Sequence, residues 1–264
     1  MLRNSMPYRA RKAEEAERSL GLFLAKAGLG AAVLLAVGLG FYRLMAQSSF
    51  FRLTDVEVRG DEKTTERQII EAGGIELHSN LLVLPVEGIR RKIERLAWVE
   101  RAEIRRNWPG TLRIRVWERQ PVAVANVAGE LYYMDARGTI FVKVSPEEDH
   151  DYPVISGLDE ESLEQKEPSR AVSCALQFLR YVRKNDPVLP RQNISEIAIQ
   201  SDGELVAYLA DRPFPIYLGS DNMETRYYRL VKVLYWLYKK KEFEVTDYIR
   251  LDYLPEKVLV GKTG

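Results

Sequence analysis

The longest apolar stretch of the chain runs from Leu20 to Tyr42, and Lys26 is its only charged residue. As a helix these 23 residues would be roughly 34 Å long, which is enough to cross the hydrocarbon core of a bilayer. Lys26 lies close to one end, where a lysine side chain can reach the interface. We therefore predict a transmembrane helix over residues 20–42, preceded by a short tail over residues 1–19.

The charges on either side of this stretch predict its orientation. Only Arg43 and Arg52 are basic soon after it, whereas five basic residues precede it: Arg3, Arg9, Arg11, Lys12 and Arg18. The positive-inside rule then places the N-terminus in the cytoplasm and residues 43–264 outside. A cleaved signal peptide is the alternative, but the apolar run is longer than such peptides carry and Leu44-Met45-Ala46 is a poor cleavage site.

Four small residues in the predicted helix are spaced four positions apart, so that they fall on one face: Gly28, Ala32, Ala36 and Gly40. A stripe of small residues allows a second transmembrane helix to approach closely. The alternative is an anchor that is rich in glycine and alanine and has no helical partner. Both interpretations remain open.

After the anchor, the alternation of apolar and polar residues from Leu53 to Gly60 predicts a strand. Thr65 and Gln68 have the spacing of a capping box at the start of a helix, and Gly73-Gly74 is a typical helix end. Pro85 is typical of the start of a second helix. The apolar face of that helix is predicted to consist of Val86, Ile89, Ile93 and Leu96.

The next segment has the pattern of a β-hairpin. Apolar residues alternate with charged ones before and after Pro109-Gly110, and the predicted inward positions are Ala102, Ile104, Trp108, Leu112, Ile114 and Val116. Proline fixes φ at the second turn position, and glycine tolerates a positive φ at the third. We therefore predict a β-α-α-β-β unit over about residues 52–119, in which Trp108 is buried against Ile89 or Ile93.

Pro121 marks a domain boundary, because proline has no backbone N–H to donate within a central strand. Beyond it, most of the predicted elements are strands. The predicted strands are Val122 to Val127, Leu131 to Met134, Thr139 to Val142, Ile194 to Ile199, Leu205 to Ala210, Phe214 to Leu218, Tyr248 to Tyr253 and Lys257 to Val260. Two helices interrupt them, over residues 168–184 and 222–241. The predicted fold class is α+β: an anchor, a β-α-α-β-β domain over residues 50–119, and a larger β-rich domain with two helices over residues 120–264.

Residues 96–123 resemble the end of a POTRA domain in the FtsQ/DivIB family of bacterial cell-division proteins. In that family a helix ends in a step such as Ala97-Trp98-Val99, and a charged strand runs into a Trp-Pro pair, here Trp108-Pro109. The closing strand ends on Glu-x-x-Pro-Val-Ala, here Glu118 to Ala123. Weaker matches follow at Met134 to Phe141, Ile216 to Gly219 and Tyr248 to Tyr253.

The resemblance implies a non-enzymatic, single-pass inner-membrane protein at the division septum, with its C-terminal domains in the periplasm. Its implied partners are FtsB- and FtsL-type bitopic proteins, which it gathers to help activate septal peptidoglycan synthesis, and other division proteins could bind the POTRA domain. Two alternatives are a POTRA-containing periplasmic chaperone or secretion factor, and a membrane-anchored cell-wall hydrolase. An outer-membrane assembly factor would need alternating segments that continue into a barrel, which the helices near residues 168 and 222 argue against. A hydrolase would need a catalytic group of residues.

The chemistry-bearing residues do not form such a group. The two histidines, His78 and His150, lie in polar stretches far apart, and the acidic run around His150 lacks the spacing and glycine of a calcium loop. Cys174 is the only cysteine and lies in an apolar helical pattern, which indicates a buried, inert thiol. We therefore expect no catalytic residue, cofactor, metal or small-molecule substrate.

The net charge of +1 gives no overall attraction to nucleic acid, but basic residues are concentrated locally. Ten of them occur between residues 90 and 119: Arg90, Arg91, Lys92, Arg95, Arg101, Arg105, Arg106, Arg113, Arg115 and Arg119. Outside the cytoplasm, this face could meet lipid headgroups or an acidic partner. It could equally be the solvated side of a sheet, where charged residues alternate with buried ones.

The last strands are the predicted site of partner capture. They end the chain, so nothing after them covers their backbone ladder, and an open edge can pair with a strand of another protein. The predicted contact residues are Arg250, Tyr253, Val258, Leu259 and Val260, and the family's use of this region for FtsB supports the assignment. Where the family usually has Asp then Arg, this chain has Arg250 then Asp252. In the alternative, Tyr253 and the valines pack on the helix that starts near residue 222.

Overall fold

The computed structural model of the chain describes residues 8–60, 62–145, 151–165, 167–182, 187–190, 193–253 and 257–263. The chain divides into two compact units. The first comprises Met1–Leu96 and Arg101–Trp117, and the second comprises Ala97–Glu100 and Glu118–Gly264.

The first helix, α1 (Tyr8–Gln47), is continuous over 40 residues. The part that is long and apolar enough to cross a membrane is Lys26–Met45, whose 20 residues would span about 30 Å. The predicted apolar helix is confirmed, and this window extends a few residues beyond Tyr42. Its large apolar side chains are exposed, including Leu34 at 75%. Such exposure is typical of a helix whose surroundings are lipid.

The first unit continues with β1 (Asp55–Arg59), α2 (Glu66–Gly73), α3 (Val86–Ile93), β2 (Val99–Asn107) and β3 (Thr111–Glu118). This is the predicted β-α-α-β-β order. The sheet order is β1-β3-β2, and β1 runs parallel to β3 with Val56 opposite Leu112. Ile89 and Ile93 of α3 are buried, as are the alternate apolar residues of the sheet, so one sheet face forms the core.

The predicted ends of α2 are confirmed. Thr65 accepts a hydrogen bond from the backbone N–H of Gln68, and Gln68 in turn accepts one from the N–H of Thr65, which completes the capping box. Gly74 ends the helix with φ +64°, in the left-handed region that glycine adopts without strain.

The hairpin between β2 and β3 forms, but the positive φ predicted for Gly110 and the burial predicted for Trp108 were wrong. Gly110 does not have a positive φ, and the Trp108-Pro109 peptide bond is cis. Glycine suits position 110 for another reason, because a Cβ there would lie 2.6 Å from the carbonyl oxygen of Arg52. Trp108 is 49% exposed and packs edge-to-face on Phe51, with ring centroids 5.3 Å apart, and is not buried against α3.

The second unit is built on a nine-stranded sheet with the order β12-β11-β10-β9-β8-β7-β4-β5-β6. Its strands are β4 (Pro121–Val127), β5 (Glu130–Asp135), β6 (Ile140–Lys143), β7 (Val154–Leu158), β8 (Ile194–Ile199), β9 (Leu205–Leu209), β10 (Ile216–Gly219), β11 (Thr246–Arg250) and β12 (Leu259–Lys262). Helices α4 (Arg170–Val182) and α5 (Met223–Lys240) bury their apolar faces in the same core as the sheet. The mixed α+β fold class is confirmed.

Strand β7 was not predicted from the sequence. It pairs parallel to both β4 and β8, and Ile155 is fully buried, but its five residues are too few to establish a period. It also contains Gly157, which normally weakens a strand prediction. Here glycine is needed because φ is +80° and a Cβ would lie 2.1 Å from the carbonyl oxygen of Ile199.

Candidate interaction surfaces

Strand β12 forms one edge of the nine-stranded sheet. It pairs antiparallel with β11, with Ile249 opposite Val260 and Arg250 opposite Leu259. Among the described residues, no strand pairs with its outer side. The outer side therefore presents backbone N–H and C=O groups that another extended segment could bind.

One hydrogen bond indicates which backbone groups point outward. The N–H of Thr263 donates to the carbonyl oxygen of Val245, 2.9 Å away, so it points towards the β11 side. Backbone groups alternate in direction along an extended strand. The N–H groups of Val260 and Lys262 should therefore point away from β11.

The predicted contact residues do not share one environment. Val258 and Val260 are half-buried and pack against the core, which favours the alternative interpretation for these two valines. Leu259 is 45% exposed and Tyr253 is 67% exposed. The apolar side chains that are available to a partner near this edge are therefore those of Leu259 and Tyr253.

Arg250 lies at the end of β11 and is engaged by its own neighbours. Its Nη2 and Nε atoms donate to the two carboxylate oxygens of Asp252, at 2.7 and 3.1 Å, and its guanidinium lies 4.6 Å from the centre of the Tyr217 ring. The hydrogen bond with Asp252 raises the pKa of Arg250. Burial raises the pKa of Asp252, but the hydrogen bonds from Arg250 help to lower it overall, so both groups stay charged. The pair gives the edge a fixed charge distribution.

A pocket of about 500 Å³ lies beside this pair. Its lining consists of Asp221, Asn222, Thr225, Arg226, Arg229, Asp252 and Tyr253. Arg226 is the most buried charged group there: its Nη2 donates to Asp221 at 2.9 Å, which lowers the pKa of that carboxyl. Its Nε and Nη1 atoms are buried without a hydrogen-bond partner among the described residues. Sequence reasoning missed Arg226, because it is one of several basic residues on α5.

The small-residue stripe on α1 is exposed along its whole length, at Gly28, Ala32, Ala36 and Gly40. A Cβ built at Gly28 or Gly40 meets nothing within 4 Å, so the described part of the chain leaves this face open. The stripe as a packing surface for another helix stays a prediction.

The basic residues of the first unit divide into two groups. Arg59, Arg105, Arg113 and Arg115 line a pocket of about 410 Å³ with Gly60 and Glu103. Arg106, in contrast, has a structural role, because it donates to the carbonyl oxygens of Leu81 and Leu84 at 2.8 and 2.7 Å. The basic face is thus a smaller surface than its sequence suggests, and its binding of any partner stays a prediction.

Candidate metal ligands are not gathered within the described ranges. No group of three or more His, Cys, Asp or Glu residues there could hold a metal ion. His78 is exposed in a loop, whereas His150 and the acidic residues 147–149 lie outside the described residues. Cys174 was predicted to be buried but is half-buried on α4, where its Sγ donates to the carbonyl oxygen of Ser220 at 3.3 Å.

Comparisons with known proteins match both units. A family described as POTRA domain, FtsQ-type matches residues 51–119, and one described as cell division protein FtsQ/DivIB, C-terminal, matches residues 123–251. The chain is 34% identical over 239 residues to the cell division protein FtsQ of Geotalea daltonii, covering 88% of this chain and 85% of that protein. It is 32% identical over 248 residues to the cell division protein FtsQ of a Geobacter species, covering 91% of this chain and 88% of that protein.

Proposed function

The chain belongs to the FtsQ/DivIB family of bacterial cell-division proteins, and we propose that it is a non-enzymatic scaffold that captures FtsB- and FtsL-type partners. It acts from the inner membrane at the division septum, with the residues after Met45 in the periplasm, and links these partners to septal peptidoglycan synthesis. The apolar helix over Lys26–Met45 and the family assignment support a single membrane span. The observation that carries the proposal is the open outer side of β12.

An extended segment of the FtsB-type partner adds a strand to this edge. Main-chain hydrogen bonds to the outward groups of Val260 and Lys262 supply the general affinity, as in other cases of β-augmentation. Leu259 and Tyr253 supply apolar contacts, and the Arg250–Asp252 pair sets the charge that the partner must match. Val258 and Val260 contribute indirectly, because their packing on the core holds the strand in place.

The two alternative functions have less support. A cell-wall hydrolase needs a nucleophile, a base or a metal, and within the described residues no metal-ligand group exists. A chaperone or secretion factor could use the POTRA unit, but among its described residues the larger unit shows no feature that favours such a role. One family match names a cell division protein, and the other names an FtsQ-type domain.

Replacing Tyr253 by glutamate should weaken capture of an FtsB-type partner. The substitution removes an exposed apolar anchor and adds a charge beside the carboxylates of Asp221 and Asp252. A central interface aromatic contributes about 2 kcal/mol or more, so we expect roughly a thirtyfold loss of affinity. The measurement is titration of the purified full-length protein with the partner.

Tyr235→Glu is the matched control, because Tyr235 is also an exposed tyrosine, at 57%, but lies on α5. Its variant should bind the partner as the unaltered protein does. Equal affinity of the Tyr253→Glu and Tyr235→Glu variants, both folded by circular dichroism, would place the interface elsewhere. The basic face of the first unit would then be the next candidate.

The orientation can be tested separately. A reporter that is active only outside the cytoplasm, fused after Gly264, should be active, because five basic residues precede the apolar helix and two follow soon after. An inactive but stably expressed fusion would contradict the proposed orientation. A mature N-terminus mapped at Gln47 would instead show that the helix is a cleaved signal peptide.

A further inference from the structure

Exposed apolar side chains surround the point where the chain leaves α1. A short 3-10 turn, Ser49–Phe51, follows the helix almost immediately, and Phe50 on this turn is 67% exposed. The Phe50 and Phe51 rings pack edge-to-face with centroids 5.0 Å apart, and Phe51 packs on Trp108 in the same way. Val83, on the loop that pairs with Phe51, is 49% exposed. We call Phe50, Phe51, Val83 and Trp108 the juxtamembrane patch.

Hydrogen bonds fix this patch at the end of the membrane-spanning segment. The side-chain amide of Asn80 donates to the carbonyl oxygens of Met45 and Ser48, each 3.3 Å away, and Met45 is the last residue of the apolar window. The N–H of Leu81 donates to the carbonyl oxygen of Phe51 at 2.7 Å. The loop that carries Val83 is thereby held against the last turn of α1.

Chain length sets an upper limit on the distance between the patch and the bilayer. Phe50 is three residues from the end of α1 and Val83 three residues from Asn80, so each lies within about 11 Å of its tether. The headgroup region of each leaflet is about 5 to 8 Å thick. Trp108 is held nearby, because the carbonyl oxygen of Gly110 accepts hydrogen bonds from the N–H groups of Thr54 and Asp55. The patch therefore cannot move far from the headgroups.

The residue types suit this depth. Tryptophan favours the membrane interface, where its apolar ring and its polar N–H are both accommodated. Phenylalanine is common on protein surfaces that are buried in the interface. Arg43 and Arg52 flank the patch along the chain and are exposed, and arginine is attracted to anionic headgroups. Away from the membrane, Phe50 and Trp108 would be exposed to water. Contact with lipid would cover them, and because α1 already holds them near the bilayer, this contact costs little additional entropy.

We propose that the juxtamembrane patch rests in the outer leaflet's headgroup region and seats the β-α-α-β-β part of the first unit directly on the lipid bilayer. The occupant of this apolar surface is the lipid, because the patch is continuous with the membrane-spanning segment. The seat limits how far the β-α-α-β-β part can swing about the end of α1. The proposal rests on Lys26–Met45 spanning the membrane and is independent of partner capture at β12.

Spin labels report depth in the membrane and test the proposal in the full-length protein. The protein, with Cys174→Ser to remove its own thiol, is reconstituted into vesicles of phosphatidylethanolamine and phosphatidylglycerol. Labels are attached in turn to Phe50→Cys and Val83→Cys. Leu34→Cys serves as the control inside the span and Glu66→Cys as the control on the exposed start of α2. Collision rates with oxygen, which enters lipid, and with a water-soluble nickel chelate are then measured.

The ratio of oxygen to nickel collisions at residues 50 and 83 should be several-fold higher than at residue 66 and lower than at residue 34. A ratio equal to that at residue 66 would mean that the patch is in water and would overturn the proposal. Low collision rates with both reagents would mean that protein, such as a second copy of the chain, covers the patch, which also overturns it. A water-like ratio at residue 34 would overturn the membrane span itself, and the two failures are therefore distinguishable.

Discussion

Replacing Lys262 by proline should weaken capture of an FtsB-type partner about tenfold or more. Proline removes the N–H that points away from β11, so the partner's carbonyl group would be buried without a donor, at a cost of about 1 to 3 kcal/mol. The native pairing should persist, because Lys262 lies on the edge strand and proline is tolerated there. Affinity of the full-length protein for the partner is the quantity to measure.

The control for this experiment is Lys262→Ala. It removes the same side chain, including the 2.8 Å ion pair with Glu242 and the contact over the Trp236 ring, but keeps the backbone N–H. The difference between the two variants therefore isolates the backbone donor. If Lys262→Pro and Lys262→Ala bind the partner equally well, the partner does not pair with the outer side of β12.

Replacing Asp135 by alanine should lower the free energy of unfolding by about 3 to 5 kcal/mol, the usual cost of breaking a buried ion pair. One carboxylate oxygen accepts hydrogen bonds from the N–H groups of Arg137 and Thr139 at 2.9 and 3.0 Å, and the other accepts one from Arg119 at 2.8 Å. The side chain of Asp135 is 8% exposed and that of Arg119 is 19% exposed. Alanine would leave the largely buried guanidinium of Arg119 without its carboxylate partner and two turn N–H groups without their acceptor.

Urea unfolding of a fragment that lacks the apolar helix, followed by tryptophan fluorescence, measures this loss. The ring centroids of Trp98 and Tyr133 are 5.5 Å apart, and both residues belong to the second unit. Trp98 should therefore report the unfolding of that unit. Asp135→Asn is the matched control, because the amide oxygen can still accept from the turn while the charge is lost. We expect it to be less destabilising than Asp135→Ala. An unchanged unfolding midpoint for Asp135→Ala would contradict the assigned role.

The sequence predicted those elements whose signals are local. The capping box at Thr65 and Gln68 needs only four residues in order, and the alternation in β2 and β3 is long enough to define the buried face. The apolar helix is recognisable by length alone. The run from Met134 to Phe141 supported a family resemblance, but its physical meaning was not apparent. The structure shows that Asp135 in this run closes a turn and pairs with Arg119.

The wrong predictions depended on where an element ends or on distant atoms. The period-2 pattern was extended to Trp108, but β2 ends at Asn107 and the turn directs the indole towards Phe51. The role of Gly110 depends on the carbonyl oxygen of Arg52, 58 positions earlier in the chain, and no local rule anticipates that contact.

The candidate site shows the same division. Open backbone groups on the last strand could be proposed from sequence. The order of the nine strands could not, because it depends on pairings between distant segments: β10 pairs in parallel with β11, and α5 separates the two in the chain. Val258, Leu259 and Val260 are all apolar, so no polar residue marks the outward face of this strand. Only the structure shows that the two valines pack on the core while Leu259 remains exposed. Partner specificity therefore has to be sought at Leu259 and Tyr253.

Residue-resolved amide hydrogen exchange tests partner capture at β12 most directly. The full-length protein is measured alone and with the periplasmic segment of an FtsB-type partner at saturating concentration. The outward N–H groups of Val260 and Lys262 should become protected, while exchange at the opposite edge strand, Ile140–Lys143, stays unchanged. Unchanged exchange along Leu259–Lys262 in the bound state, with new protection on another surface, would contradict the proposed mode of capture.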